Sequence, residues 1–69
     1  MIPLETALQI TKLYGGDAKT ERMVLNWCQQ KWGVSNLLRL SEKQADAIIA
    51  RPDAFLNACE ELWRDNIPF

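Results

Sequence analysis

Two cysteines, two serines, one pair of adjacent glutamates and one pair of adjacent glycines are the residues of this 69-residue chain that could carry chemistry, and there is no histidine to assist any of them. Cys28 and Cys59 lack the histidine or further cysteine partners of a zinc set and are too few for a disulfide scaffold, so both read as plain buried thiols of a reducing compartment. Ser35 and Ser41 have no lysine at a telling spacing that could act as base, and each is better explained as a helix cap. Glu60 and Glu61, being consecutive, point to different faces of a helix, which gives no support to a two-carboxylate mechanism. Gly15 and Gly16 have neither the preceding strand nor the further glycines of a phosphate loop and read as a helix terminator. The expectation is a non-enzyme with no cofactor and no metal.

The totals point the same way. A chain of this length makes one small domain, burying only roughly 60% of the surface it exposes when unfolded, which leaves little room for a catalytic cleft. Eight Lys and Arg stand against nine Asp and Glu without any run longer than two like charges. Direct nucleic-acid binding is therefore disfavoured, since no basic stripe offers itself to phosphates. No apolar stretch approaches the roughly 20 residues of a membrane span and no signal peptide is recognisable, which predicts a cytoplasmic protein with no membrane contact.

Hydrophobic spacing and helix punctuation predict an all-α, compact bundle of three to four short helices followed by a short C-terminal tail. A first helix is expected over 3–14, with Pro3 in its first turn, Leu4, Ala7, Leu8 and Tyr14 as its apolar residues, and the glycine pair as its end. Asp17 can cap a second helix in which Val24, Trp27, Cys28 and Trp32 share a face until Gly33 stops it. Over 33–40 a one-turn helix capped by Ser35 would turn Val34, Leu37, Leu38 and Leu40 inward. The run SEKQ fits a capping box between Ser41 and Gln44 and opens a third helix through Ala45, Ile48 and Ile49 to Arg51. Pro52 suits the first turn of a fourth helix over 52–64, with Phe55, Leu56, Cys59, Leu62 and Trp63 as one stripe. Asp65 and Asn66 are poor interior residues and Pro68 has no N–H, which makes 1–64 a helical domain and 65–69 a tail. Trp27 falls on the core stripe. Trp32 and Trp63 lie at helix ends, where core packing and a partner surface are both open.

The chain closes on WRDNIPF, in which an aromatic Trp63, an acidic Asp65 and the terminal run Ile67, Pro68 and Phe69 follow one another. This resembles the C-terminal tip of bacterial single-stranded DNA-binding proteins, where an aromatic residue precedes a run of acids ending in Asp-Asp-Asp-Ile-Pro-Phe. The resemblance implies a docking peptide for replication, recombination and repair proteins. Partners of that family seat the last Phe in an apolar pocket and clamp its terminal carboxylate with a basic residue, while other basic residues meet the acids. Carried over, the partner-binding residues are Trp63, Asp65, Ile67, Pro68 and Phe69. Arg64 and Asn66 stand where the family has acids, so electrostatic attraction to a basic pocket would be weaker. The family's nucleic-acid-binding β-barrel has no counterpart. The alternative for the tail is that Ile67 and Phe69 fold back to complete a small core.

The body, from the Gln and Leu-Tyr of the first helix through ERMVLNWCQQKWGVSNLLRLSEKQADAII, is similar to small helical modules at the ends of phage recombination proteins of the RecT type. Together the two resemblances imply a phage- or mobile-element-type accessory protein. It would recruit or inhibit a host DNA-metabolism protein carrying a pocket for a C-terminal Ile-Pro-Phe. The rival is a recombination-type module that binds nucleic acid or a protein through its body.

Overall fold

In a computed structural model of the protein, which describes residues 2–66 without the side chain of Asn66, the chain is all-α. Four helices follow in order, α1 (Leu4–Thr11), α2 (Ala18–Trp32), α3 (Glu42–Ala50) and α4 (Pro52–Asn66), with a 3₁₀ turn at Leu37–Arg39 between the second and third. Among the described residues there is no strand. The radius of gyration is 11.4 Å, close to the ~11 Å expected of a compact domain of this length.

The helix punctuation acts largely as its chemistry dictates. Asp17 accepts from the backbone N–H groups of Lys19 (3.0 Å) and Thr20 (3.4 Å) and from the Thr20 hydroxyl (2.9 Å), satisfying donors that the first turn of α2 leaves free. These hydrogen bonds, the Thr20 hydroxyl foremost, hold the Asp17 carboxyl below its usual range. At the other end Gly33 takes a left-handed conformation, φ 68°, in which its N–H donates to the Gln29 carbonyl and that of Val34 to Cys28. The capping box of α3 is complete: Gln44 N–H donates to Ser41 Oγ at 3.1 Å, and Ser41 N–H donates to Gln44 Oε1 at 2.9 Å.

Four expectations shift. Pro3 is the N-cap of α1 rather than a residue of its first turn, its carbonyl accepting from Thr6 and Ala7. That helix ends at Thr11 instead of Tyr14, because Leu13 and Tyr14 bond to carbonyls three residues back and tighten the chain before the positive-φ glycines. The turn after α2 is capped by Asn36, whose Oδ1 accepts from Leu38 N–H at 3.0 Å, and not by Ser35. The 3₁₀ turn begins at Leu37, one residue later than a Ser35 cap requires. Helix α4 runs through Asp65 to Asn66, residues assigned to the tail. Asp and Asn each cost a growing helix less than about 0.7 kcal/mol, whereas the steric bar set by Pro68 falls on its predecessor and leaves Asn66 free to be helical.

The core lies between two pairs of packed helices, α2 with α4 and α1 with α3. Ile10, Val24, Cys28, Leu40, Ile48 and Cys59 are the largest of its fully buried side chains among the described residues. Ile2 closes one end, buried and with its N–H donating to the Leu38 carbonyl. Of the apolar residues read on the first helix, Ala7 is buried while Leu4 and Leu8 are 65% and 50% exposed, and Leu38, expected to turn inward, is exposed as well. Ile10, which that reading left out, shares the inward face of α1 with Ala7.

The caps set a stability prediction. Ser41→Ala should cost about 1 kcal/mol. Adding Gln44→Ala should cost less than the sum of the two single losses, since both residues serve one box. Asn36→Ala should destabilise measurably while Ser35→Ala does not. Urea denaturation of these variants reads all three.

Candidate functional site

Trp63 and Asp65 are the two predicted partner-binding residues that the described structure contains; Ile67, Pro68 and Phe69 lie outside the described residues, as does the expectation that Ile67 and Phe69 fold back. Both belong to the last turns of α4, and a two-residue separation on a helix points their side chains to opposite flanks. Trp63 is half-buried and packs on the core, in a shallow trough beside Asp17, Thr20 and Met23. Asp65 is exposed and borders a second trough with Lys31, Glu61 and Trp27. The structure therefore does not gather the aromatic and the acid on one face.

Two other surfaces emerge that the sequence pattern did not single out. The first is a groove of about 290 Å³ lined by Leu4, Leu8, Leu38, Leu25 and Tyr14, with Glu21 among its walls. All three large hydrophobic side chains that are exposed among the described residues lie in it. The signal for it was present: α1 and its following turn carry apolar residues at 4, 7, 8, 10, 13 and 14, more than one face of a two-turn helix can bury. Burial raises the pKa of the Tyr14 hydroxyl above its ordinary value, with Glu21 and then Cys28 adding to the effect.

The second is a groove of about 250 Å³ where α2, α3 and α4 converge. Its walls are Trp27, Trp32 and Phe55, and Ala47, Ala54 and Ala58 keep it open because a methyl group leaves room a longer side chain would fill. Trp27 stands edge-on to Trp32 (centroids 4.8 Å, 88°) and to Phe55 (5.1 Å, 78°), the geometry that aromatic quadrupoles favour. Arg51, exposed at the junction of α3 and α4, is the only charged residue lining it.

The thiols are free and buried, as the sequence predicts. Burial pushes Cys28 up to about 11 and Cys59 up to about 12, with the nearby Cys28 contributing to the second. Among the described residues no group of three or more His, Cys, Asp and Glu is placed to hold a metal ion, and no helix is long and apolar enough to cross a membrane. No protein-family model, curated protein or solved structure matches the chain.

A pH prediction follows from the thiols. Unfolded, they titrate near 9; folded, at about 11 and about 12. Above pH 9 the folded chain retains protons that the unfolded chain has released, so stability should be flat in this respect below pH 9 and fall as the pH rises towards 12. Cys59→Ala should flatten the decline. In the native protein at pH 8 neither thiol should react with a disulfide reagent, while both should react in denaturant.

Proposed function

We propose that the protein is a non-catalytic docking protein of the phage- or mobile-element type. Its terminal Ile67, Pro68 and Phe69 enter a pocket on a host DNA replication, recombination or repair protein, recruiting or blocking it. The observation that carries this is the sequence WRDNIPF, in which an apolar ring and, where Phe69 is the natural terminus, a free carboxylate stand within a few Å of each other behind an acid. Burying a Phe side chain contributes roughly 1.5–3 kcal/mol, and a charge-assisted hydrogen bond to a terminal carboxylate adds specificity that an internal sequence cannot supply.

The helical body has two roles in this scheme. It carries Asp65 on a rigid helix, so the acid reaches the partner without loss of backbone freedom. The leucine groove of Leu4, Leu8 and Leu38 gives the same partner a second contact, and linking the two raises the effective concentration of a tip that binds weakly by itself. That groove is also the observation favouring the second reading, in which the body alone binds a protein. The balanced charge, eight basic against nine acidic residues, speaks against nucleic acid as the body's ligand.

The test is capture from bacterial lysate followed by identification of what is bound. Extending the chain beyond Phe69 by a few residues, or deleting Phe69, should abolish capture and leave the circular dichroism spectrum unchanged. Leu4→Asn with Leu8→Asn should weaken capture without altering the fold, since both side chains are at least half exposed. Phe69→Ala should change stability by less than about 0.5 kcal/mol; a loss of about 3–5 kcal/mol would mean that the ring belongs to the core. Undiminished capture by the extended chain would overturn tail docking, and loss of capture with the leucine pair alone would favour the body.

A further inference from the structure

The two thiols of the chain take part in none of the surfaces described above. Cys28 of α2 and Cys59 of α4 lie in the core that these helices close on each other; they are 1% and 0% exposed, and both are free. Protein interiors are packed to the density of organic crystals, so a sulfur buried to this degree has no room for an added group. A glutathionyl group is a tripeptide bearing two carboxylates and an ammonium, charges that are not buried without partners. With such a group on either sulfur, α2 and α4 cannot close.

While the domain is closed, burial keeps both sulfurs out of reach and holds them as uncharged thiols. Reaction therefore waits for opening, which a domain with so thin a stability margin undergoes repeatedly. In the opened chain a thiolate attacks one sulfur of oxidised glutathione. The new S–S bond joins protein to glutathione, the old S–S bond breaks, and the second glutathione leaves as a thiolate that takes up a proton. The protein sulfur is oxidised and the departing glutathione sulfur is reduced. A chain modified once can no longer close, which leaves its other thiol exposed to a second molecule of oxidised glutathione.

We infer that Cys28 and Cys59 form an all-or-none redox switch, in which reaction of either thiol with oxidised glutathione holds α2 off α4 and exposes the other thiol to the same reaction. Opening removes the surfaces that the two helices build jointly. Trp27 and Trp32 of α2 part from Ala54, Phe55 and Ala58 of α4, which ends the aromatic groove. Met23 parts from Trp63 in the trough they share, and Trp63 and Asp65 lose the position that the packed helix gives them. In a reducing compartment the excess of glutathione thiol drives the exchange backwards, and the closed form persists. The switch acts whichever surface meets a partner.

The experiment treats the purified full chain with excess oxidised glutathione at pH 8 and follows intact mass and circular dichroism together. Each chain should be either unmodified and helical or modified at both thiols and unfolded, with no helical species of intermediate mass. Dithiothreitol should restore both the mass and the helical signal. The rate should follow the opened fraction. Ser41→Ala, a change at the cap of α3, which carries neither thiol, should quicken the reaction about fivefold.

Cys28→Ala and Cys59→Ala each leave one thiol, whose modification alone should abolish the helical signal. The wild-type mass distribution decides the matter even where an alanine variant folds poorly. A singly modified chain that stays helical would overturn the switch. So would a Cys28–Cys59 disulfide in a helical chain, since oxidation would then staple α2 to α4 instead of parting them. An unchanged rate in Ser41→Ala would do the same, because the folded chain would be reacting directly. Capture from lysate is read without oxidant, so the switch can fail while tail docking stands.

Discussion

The packing of α2 on α4 is the contact on which the remaining structure depends. It is the most extensive helix–helix interface in the described chain, and Cys28 and Cys59 lie within it at full burial. Small side chains at such a point let two helix backbones approach closely, which then fixes what happens on either side. On one side Trp27 stands edge-on to both Phe55 and Trp32. On the other, Met23 is buried and Trp63 covers the end of the core. A larger residue at either cysteine would separate the helices and disturb both sides together. The raised thiol pKa values express the same constraint, since a charge at this position would have no partner and no water.

Rigidity at the end of α4 alters how the proposed tip would work. A docking peptide that is free along its whole length must order every residue on binding, at a cost of about 1–2 kcal/mol for each. Here the helix already fixes Trp63 and Asp65, and Trp63 is committed in part to the core. The acid and the aromatic residue therefore cannot adapt to a partner as they would in an extended peptide. Whatever specificity they supply comes from where the helix holds them.

Much of the fold was legible because helix ends are chemically explicit. Asp17, Gly33 and the Ser41–Gln44 pair each solve a defined problem of unpaired backbone groups, and all three act as their types suggest. The assignments that shifted are those where two candidates solve the same problem. Ser35 and Asn36 are both good caps, and only the start of the 3₁₀ turn decides for Asn36. Leu4 and Leu8 have the spacing of a core face, but so do Ala7 and Ile10, and the position of α3 settles which pair turns inward. The aromatic groove was harder still: its walls come from α2 and α4, its floor partly from α3, and three alanines scattered along two helices give no local sign that they border one space. The tip rests on a sequence resemblance alone, and its last three residues lie outside the described structure.

The two apolar surfaces have one origin in composition. Nearly half of the chain is hydrophobic, at 48%, while four short helices enclose a core of only a dozen buried hydrophobic side chains among the described residues. Some apolar surface must remain outside, as it does on any small protein, but scattered single residues would satisfy that requirement. Here it is gathered. The exposed leucines of α1 and the 3₁₀ turn share one groove, and the tryptophans of α2 share another with Phe55. The two have no lining residue in common, so a substitution in one leaves the walls of the other in place. Gathering apolar groups into separate concave patches, each bordered by one charge of opposite sign, Glu21 in the first and Arg51 in the second, distinguishes what each can accept. The leucine groove would repel an anionic chain end at Glu21, and the aromatic groove would repel a basic segment at Arg51. In the proposed scheme, a segment suited by charge to one surface would be steered away from the other.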